Sequence, residues 1–203
     1  MSYEFPMILC AVCDLARTRL CRAIDFARTL FLCWLHGIKR SKGAWFSGAP
    51  LIRTRNSGSV VIGEGTCLQS RSRLNLVGIV NQCVIDTRAG GSVYIGKNSG
   101  ITSCVINSRE RIHIGDNVNI GGNVRIFDHD FHSLNALKRR SFATDFPSVR
   151  SLPVNIGDDV FIGTNAIILK GSDIGARTIV AEAQLPCEIR TPAGHQEKCG
   201  SWQ

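Results

Sequence analysis

Residues 156–180 read IGDDVF-IGTNAI-ILKGSD-IGARTI-V, four consecutive hexads led by Ile with Val180 opening a fifth. Gly often follows the lead, and the fifth place is small or β-branched: Val160, Ala166, Ser172, Thr178. The same grammar recurs upstream, as IGEGTC-LQSRSR-L from residue 62, IGKNSG-I from 95 and IGDNVN-IGGNVR-IFDHDF at 114–131. A sustained period of this length is the signature of a β-helix solenoid, in which each repeat is a short strand plus a bend. Three such repeats close one triangular coil. The lead aliphatic points inward and stacks on its equivalent in the next coil. The fifth residue also faces the interior, beside a corner where only a small side chain fits, and Gly or Asn at the corners tolerates unusual backbone angles. Burial of each lead Ile contributes roughly 1.5–3 kcal/mol, so the fold needs no large core residue.

Composition sets the limits around this repeat. The 203 residues suffice for one sizeable domain and an appendage. A net charge of +8 favours an anionic partner: nucleic acid, a membrane surface or a phosphorylated cofactor. No nucleic-acid-binding module is present in the pattern, so that partner is set aside. Nine cysteines include the pair Cys10 and Cys13 in a CxxC, without a second pair at zinc-finger spacing. They read as small buried hydrophobes in a reducing cytoplasm.

The chain divides into three parts. Residues 1–43 form a helical segment, with the helix itself over 7–38, where Leu15, Leu20, Ile24, Phe26, Leu30, Phe31 and Trp34 recur at helical spacing between arginines. Such a helix can lie peripherally on an acidic membrane surface or cap the open end of the solenoid, and Asp14 and Asp25 favour the cap. Charges interrupt every candidate window for a signal peptide or membrane span. Residues 44–181 form the β-helix, and 182–203 an atypical tail.

Within the β-helix the repeat breaks at 127–153, a stretch carrying Lys138, Arg139, Arg140 and Arg150. A connection that long leaves the stack and can reach a neighbour. It begins inside IFDHDFH, residues 126–132, which gathers Asp128, His129, Asp130 and His132. That stretch admits three readings: a metal cluster, a general base with its supports, or a polar turn. His129 reads as exposed, or else as the base in place of His132, and His113, inside a strand-like segment, as structural.

The hexads resemble the left-handed β-helix acyltransferases, the hexapeptide-repeat transferase family, over residues 44–181. The likeness is closest to the branch that O-acetylates sugars in bacterial surface-polysaccharide synthesis. GAWFSGAPLI at 43–52 resembles the branch's GxxFxGxPxI-like opening, and SRLNLVGIVNQCVI at 72–85 its SxxNLxGIxxxCxI stretch. The resemblance implies a cytoplasmic homotrimer with active sites in clefts between solenoids, acetyl-CoA as acyl donor, a saccharide acceptor and no metal. It places the catalytic base at His132, with Asp128 or Asp130 fixing the imidazole tautomer. It places the cofactor's pantetheine arm at Thr164 beside Gly163, preceded by Phe161 where the family commonly has Trp. Lys170 and Arg177 are candidates for the CoA phosphates. A neutral imidazole near its ordinary pKa of about 6.5 can take the acceptor's proton as the hydroxyl attacks the thioester.

After IGARTIV the family continues with an AGSVVTKD-like stretch and an AGNPAKVI-like close; this chain reads AEAQLPCEIRTPAGHQEKCGSWQ. In the alternative frame its codons permit GSTV or GSAV at 182–185 and GGTPGKV at 193–199, more closely spaced than in the family. A frameshift near codon 181 is the expectation, and the nucleotide sequence tests it. Two other function classes compete with the transferase. A carbonic-anhydrase-type metalloenzyme wants three His ligands around zinc, of which only His129 and His132 lie near one another. A non-catalytic trimeric scaffold would follow from a tail that abolishes cofactor binding.

Overall fold

The computed structural model describes residues 4–71, 78–181, 188–190 and 196–198. It is a left-handed parallel β-helix with one long N-terminal helix. The chain visits three faces in turn, so every third strand stacks in parallel on the last. The first face runs through Lys39–Arg40, Ser59–Ile62, Ser92–Ile95, Arg111–Ile114, Val154–Ile156 and Asp173–Ile174. The second runs from Trp45–Ser47 to Ile179–Val180, and the third from Leu51–Thr54 to Ile167–Ile168.

The registers stack the hexad leads. Ile62, Ile95, Ile114, Ile156 and Ile174 align on the first face. Phe46, Leu68, Ile101, Ile120, Ile162 and Val180 align on the second, and Ile52, Ile85, Ile106, Ile126 and Ile168 on the third. All of them are buried. The fifth-place residues Val118, Val124, Val160 and Ala166 join them, and the hydroxyls of Thr66, Ser99 and Ser172 at that place find backbone partners: Thr66 Oγ1 donates to the Gly96 carbonyl at 2.6 Å.

The fourth hexad place is the corner. Gly65, Asn98, Asn117, Asn123, Asp159, Asn165, Gly171 and Arg177 all have φ between 52° and 78°, the left-handed region that Gly, Asn and Asp tolerate best. Arg177 is the one of these without a suitable side chain. At the second place a side chain would strike the coil next door: a Cβ on Gly115 would lie 2.7 Å from the Gly157 carbonyl carbon.

The N-terminal helix spans Glu4–Leu35, starting and ending three residues earlier than the periodicity predicts. Gly37, at φ 59°, stops it, and the Ile38 N–H returns to the Cys33 carbonyl at 2.9 Å, the closing bond of a glycine C-cap. It caps the first coil through an unusual stripe. The Thr29 hydroxyl accepts the Phe46 N–H at 3.2 Å, and Asp25, buried, pairs with Arg71 at 2.6 Å. Leu20, Ile24, Phe31 and Trp34 are left exposed on the far side. Among the described residues no helix is long and apolar enough to cross a membrane.

Past Val180 the chain stops coiling. Glu188–Arg190 pairs antiparallel with Ile179–Val180, and Gln196–Lys198 antiparallel with Glu188–Arg190, at the end of a face whose other pairings are all parallel. The frame-shifted motifs at 182–185 and 193–199 fall outside the described residues except for 196–198, and 72–77 of the SxxNLxGIxxxCxI-like stretch lie outside them too.

Candidate functional site

The excursion from 127 to 153 is closed at its base. The Leu152 N–H donates to the Asp128 carbonyl at 2.9 Å, the Asp130 N–H to the Arg150 carbonyl at 3.1 Å, and His129 bridges Ser151 between them. Beyond this stem the chain forms a 3₁₀ turn, Lys138–Arg140, a single helical turn, Phe142–Asp145, and a second 3₁₀ turn, Phe146–Ser148.

Phe131 has φ 61°, rare for a bulky residue, and the His132 N–H closes a tight turn across it onto the Asp130 carbonyl at 2.6 Å. This kink turns the His132 side chain outward, where it is 71% exposed. Its Nδ1 lies 2.6 Å from Asp145 Oδ2, while Asp145 Oδ1 accepts the Ser133 N–H at 2.6 Å. The His132 contact first, and the Ser133 N–H second, hold the Asp145 carboxyl below the usual carboxylate range. An ionised carboxylate only accepts, so Nδ1 carries a proton in this pair, and in the neutral imidazole the free lone pair is then the one on Nε2.

The expectation that Asp128 or Asp130 orients the imidazole is corrected by this geometry: Asp145 does so. Asp128 is fully buried and looks the other way, into the preceding coil. Its oxygens accept the Arg109 N–H at 2.7 Å, the Glu110 N–H at 2.9 Å and the Ser108 hydroxyl at 2.8 Å, and lie 3.0 Å from His129 Nδ1. Burial works against the charge, but these donors outweigh it and hold the carboxyl below its ordinary range. Asp128 therefore pins the base of the excursion to the coil. Asp130 is ion-paired with Lys170, which occupies the ammonium expected to meet CoA phosphates.

His129 is buried rather than exposed, and its Nε2 has no hydrogen-bond partner among the described residues. The carbonyl-to-amide stem on either side of it forces its ring inward against Phe131, centroids 4.4 Å apart. His113 lies on the strand Arg111–Ile114 and stacks on Tyr94 at 4.8 Å. Thr164 and Gly163 sit at a corner next to the strand Phe161–Ile162, and Arg177 on an exposed corner. None of these three lines the groove that holds His132.

That groove has a volume of about 350 Å³. The corners of two successive coils supply Arg55, Asn56, Arg88 and Ala89; the excursion supplies Phe131, His132, Phe142, Asp145 and Phe146. The Arg109 guanidinium stacks 4.5 Å from the Phe146 ring centre and donates to the Phe146 carbonyl at 2.9 Å, steadying that wall. Among the described residues no cysteine lines the groove. Burial pushes Cys83 and Cys104 up and Cys67 to about 11, so all three stay protonated near neutral pH. The side chains of Cys10 and Cys13 lie outside the described part of the helix. Among the described residues no group of three or more His, Cys, Asp or Glu is placed to hold a metal ion.

Sequence reasoning missed Asp145. A signal was available: it is the single carboxylate between Asp130 and Asp158.

No protein-family model and no curated protein matches the chain. Solved structures do. A mutant of AntD, an N-acyltransferase from Bacillus cereus, in complex with dTDP and coenzyme A, is 15% identical, with 82% of this chain and 86% of that chain covered and a TM-score of 0.54. AntD in complex with dTDP and 3-hydroxybutyryl-CoA is 14% identical, with 80% and 83% covered and a TM-score of 0.53. A hexapeptide-repeat-containing acetyltransferase from Vibrio cholerae, VCA0836, is 19% identical, with 94% and 93% covered and a TM-score of 0.49. The likeness to AntD shows a shared fold.

Proposed function

We propose that this chain is a CoA-dependent acyltransferase, moving an acetyl group from acetyl-CoA to a sugar hydroxyl in surface-polysaccharide synthesis. The observation that carries this reading is the His132–Asp145 pair, which presents a basic Nε2 to a groove of small-molecule size. The hexad resemblance and the fold shared with a CoA-binding acyltransferase support it.

In this mechanism His132 Nε2 takes the proton of the acceptor hydroxyl as its oxygen attacks the thioester carbonyl. Asp145 keeps Nδ1 protonated and stabilises the imidazolium that forms, acting as a positioning residue. The tetrahedral intermediate collapses by breaking its C–S bond, and the proton on Nε2 passes to the departing thiolate. No covalent enzyme intermediate is needed. Thr164 and Gly163 would meet the pantetheine arm and Arg177 a CoA phosphate; Lys170 leaves that list because Asp130 holds it.

The homotrimer belongs to the same proposal. The groove is open to solvent between the coil corners and the excursion, and Phe142 is 81% exposed at its rim, so a neighbouring solenoid would complete the cleft. The cytoplasm is the compartment where acetyl-CoA and activated sugars meet. The exposed row Leu20, Ile24, Phe31 and Trp34, flanked by Arg19 and Arg28, supports peripheral contact with the membrane face there.

The test is thioester cleavage with acetyl-CoA against a panel of saccharide acceptors. His132→Ala should lose about 10²–10⁴-fold in turnover with an unchanged melting temperature, because the side chain is largely exposed. Retained turnover would remove His132 from the chemistry.

A further inference from the structure

One buried carboxylate beside the groove organises two guanidinium groups. Asp86, 7% exposed, lies 2.9 Å from Arg88 Nε and 3.7 Å from Arg55 Nε. Arg88 is hydrogen-bonded through Nε, whereas Arg55 Nε stands only at ion-pair distance from the other carboxylate oxygen, which has no hydrogen-bond partner; neither arginine makes a hydrogen bond from its terminal Nη atoms among the described residues. Two positive charges, Arg55 and Arg88, stand against two negative ones, Asp86 and Asp145, so the case for an anion rests on the arginines' free terminal donors and not on net charge. The groove's other carboxylate, Asp145, is engaged by His132 and the Ser133 N–H. Arg88 is further fixed over the Phe131 ring, 5.8 Å from its centre, so its fork is pre-positioned rather than swinging in solvent. Across the groove Phe142 and Phe146 stack at 5.5 Å and offer an apolar wall.

We infer that this groove binds a saccharide bearing an anionic group, with Arg55 and Arg88 on the anion and Phe142 and Phe146 against the ring's C–H face. The inference rests on the acyltransferase reading and names its acceptor class. Terminal guanidinium donors in a fixed fork match the oxygen pair of a phosphate or carboxylate. Size assigns the anion to the acceptor rather than the donor. The groove stands at the low end of small-ligand sites, about 300–1,000 Å³. In CoA the whole pantetheine arm separates the phosphates from the thioester, so a thioester at His132 leaves its phosphates beyond this groove.

Calorimetric titration of the full chain with glucose 1-phosphate, glucuronate and glucose tests the inference, with acetyl-CoA titrated in parallel. Glucose 1-phosphate or glucuronate should bind more tightly than glucose, and which of the two prevails distinguishes phosphate from carboxylate. Arg88→Gln and Arg55→Gln should each weaken the charged sugar by about tenfold, with Arg88→Lys weakening it less and acetyl-CoA affinity unchanged throughout. Arg55 is the more exposed of the two, so its variant keeps the test sound if the Arg88 variant unfolds. Equal binding of charged and neutral sugars, no binding of either, or loss of acetyl-CoA together with the charged sugar would overturn the inference. Binding of the charged sugar without any binding of acetyl-CoA would leave the subsite standing and sink the acyltransferase reading instead.

Discussion

The coils at 156–180 and the excursion at 127–153 adjoin in the chain and are built on opposite principles. In the coils the left-handed corners Asp159, Asn165 and Arg177 repeat those of neighbouring coils, and each lead aliphatic has a stacked neighbour. In the excursion the left-handed residue is Phe131, with no equivalent, and the backbone is held by particular side chains: Asp128 at the base and Asp145 under the kink. Repetition makes a rigid frame from weak, identical contacts. A reactive imidazole needs an irregular position, and irregular positions need their own buried carboxylates.

The largest effect expected from breaking this contrast lies at the base of the excursion. Asp128→Ala orphans two N–H groups, a hydroxyl and His129, at a cost of about 3–5 kcal/mol, measured by chemical denaturation. The same carboxylate gives a pH signature. Its native pKa lies below the unfolded value, so its stabilisation is complete above about pH 4 and is lost as pH falls through the depressed native value. Asp128→Asn should flatten that acid limb; an acid limb like the parent's would contradict the account.

Next comes a coil lead. Ile156→Ala should cost about 3 kcal/mol, since the residue is 1% exposed within its ladder. Leu134→Ala in the excursion, 63% exposed, should stay within about 0.5 kcal/mol. Similar midpoint shifts for the two would show that the excursion has a core of its own.

Asp145→Asn addresses the positioning role. Turnover should fall about 10²-fold, while acetyl-CoA affinity, read by calorimetry, stays put. Loss of both together would make Asp145 part of the scaffold only. The smallest effect belongs to the misfit corner: Arg177→Gly relieves a left-handed arginine and should stabilise by about 1 kcal/mol, seen as a raised melting temperature.

How much was legible follows from the same contrast. Ile156, Ile162, Ile168 and Ile174 announced their own burial, because a six-residue period puts like residues in like places. His132 stood out because the period stops just before it. Asp145 could not be paired with it from spacing, since 13 intervening steps of aperiodic chain carry no register. His129 and Asp128 were misjudged for a related reason. Polar residues in a loop are ordinarily solvated, and only the stem formed with 150–152 turns these two inward.

The amino-acid order alone determined the coil, its stacked interior and the place where the pattern gives way, because each of those depends on contacts a fixed number of residues apart. Folding in three dimensions decided which carboxylate meets His132, which aspartate is structural, and which arginines share its groove. Those contacts join segments that no local periodicity relates, and the choice among competing acids was made by burial and hydrogen-bond geometry.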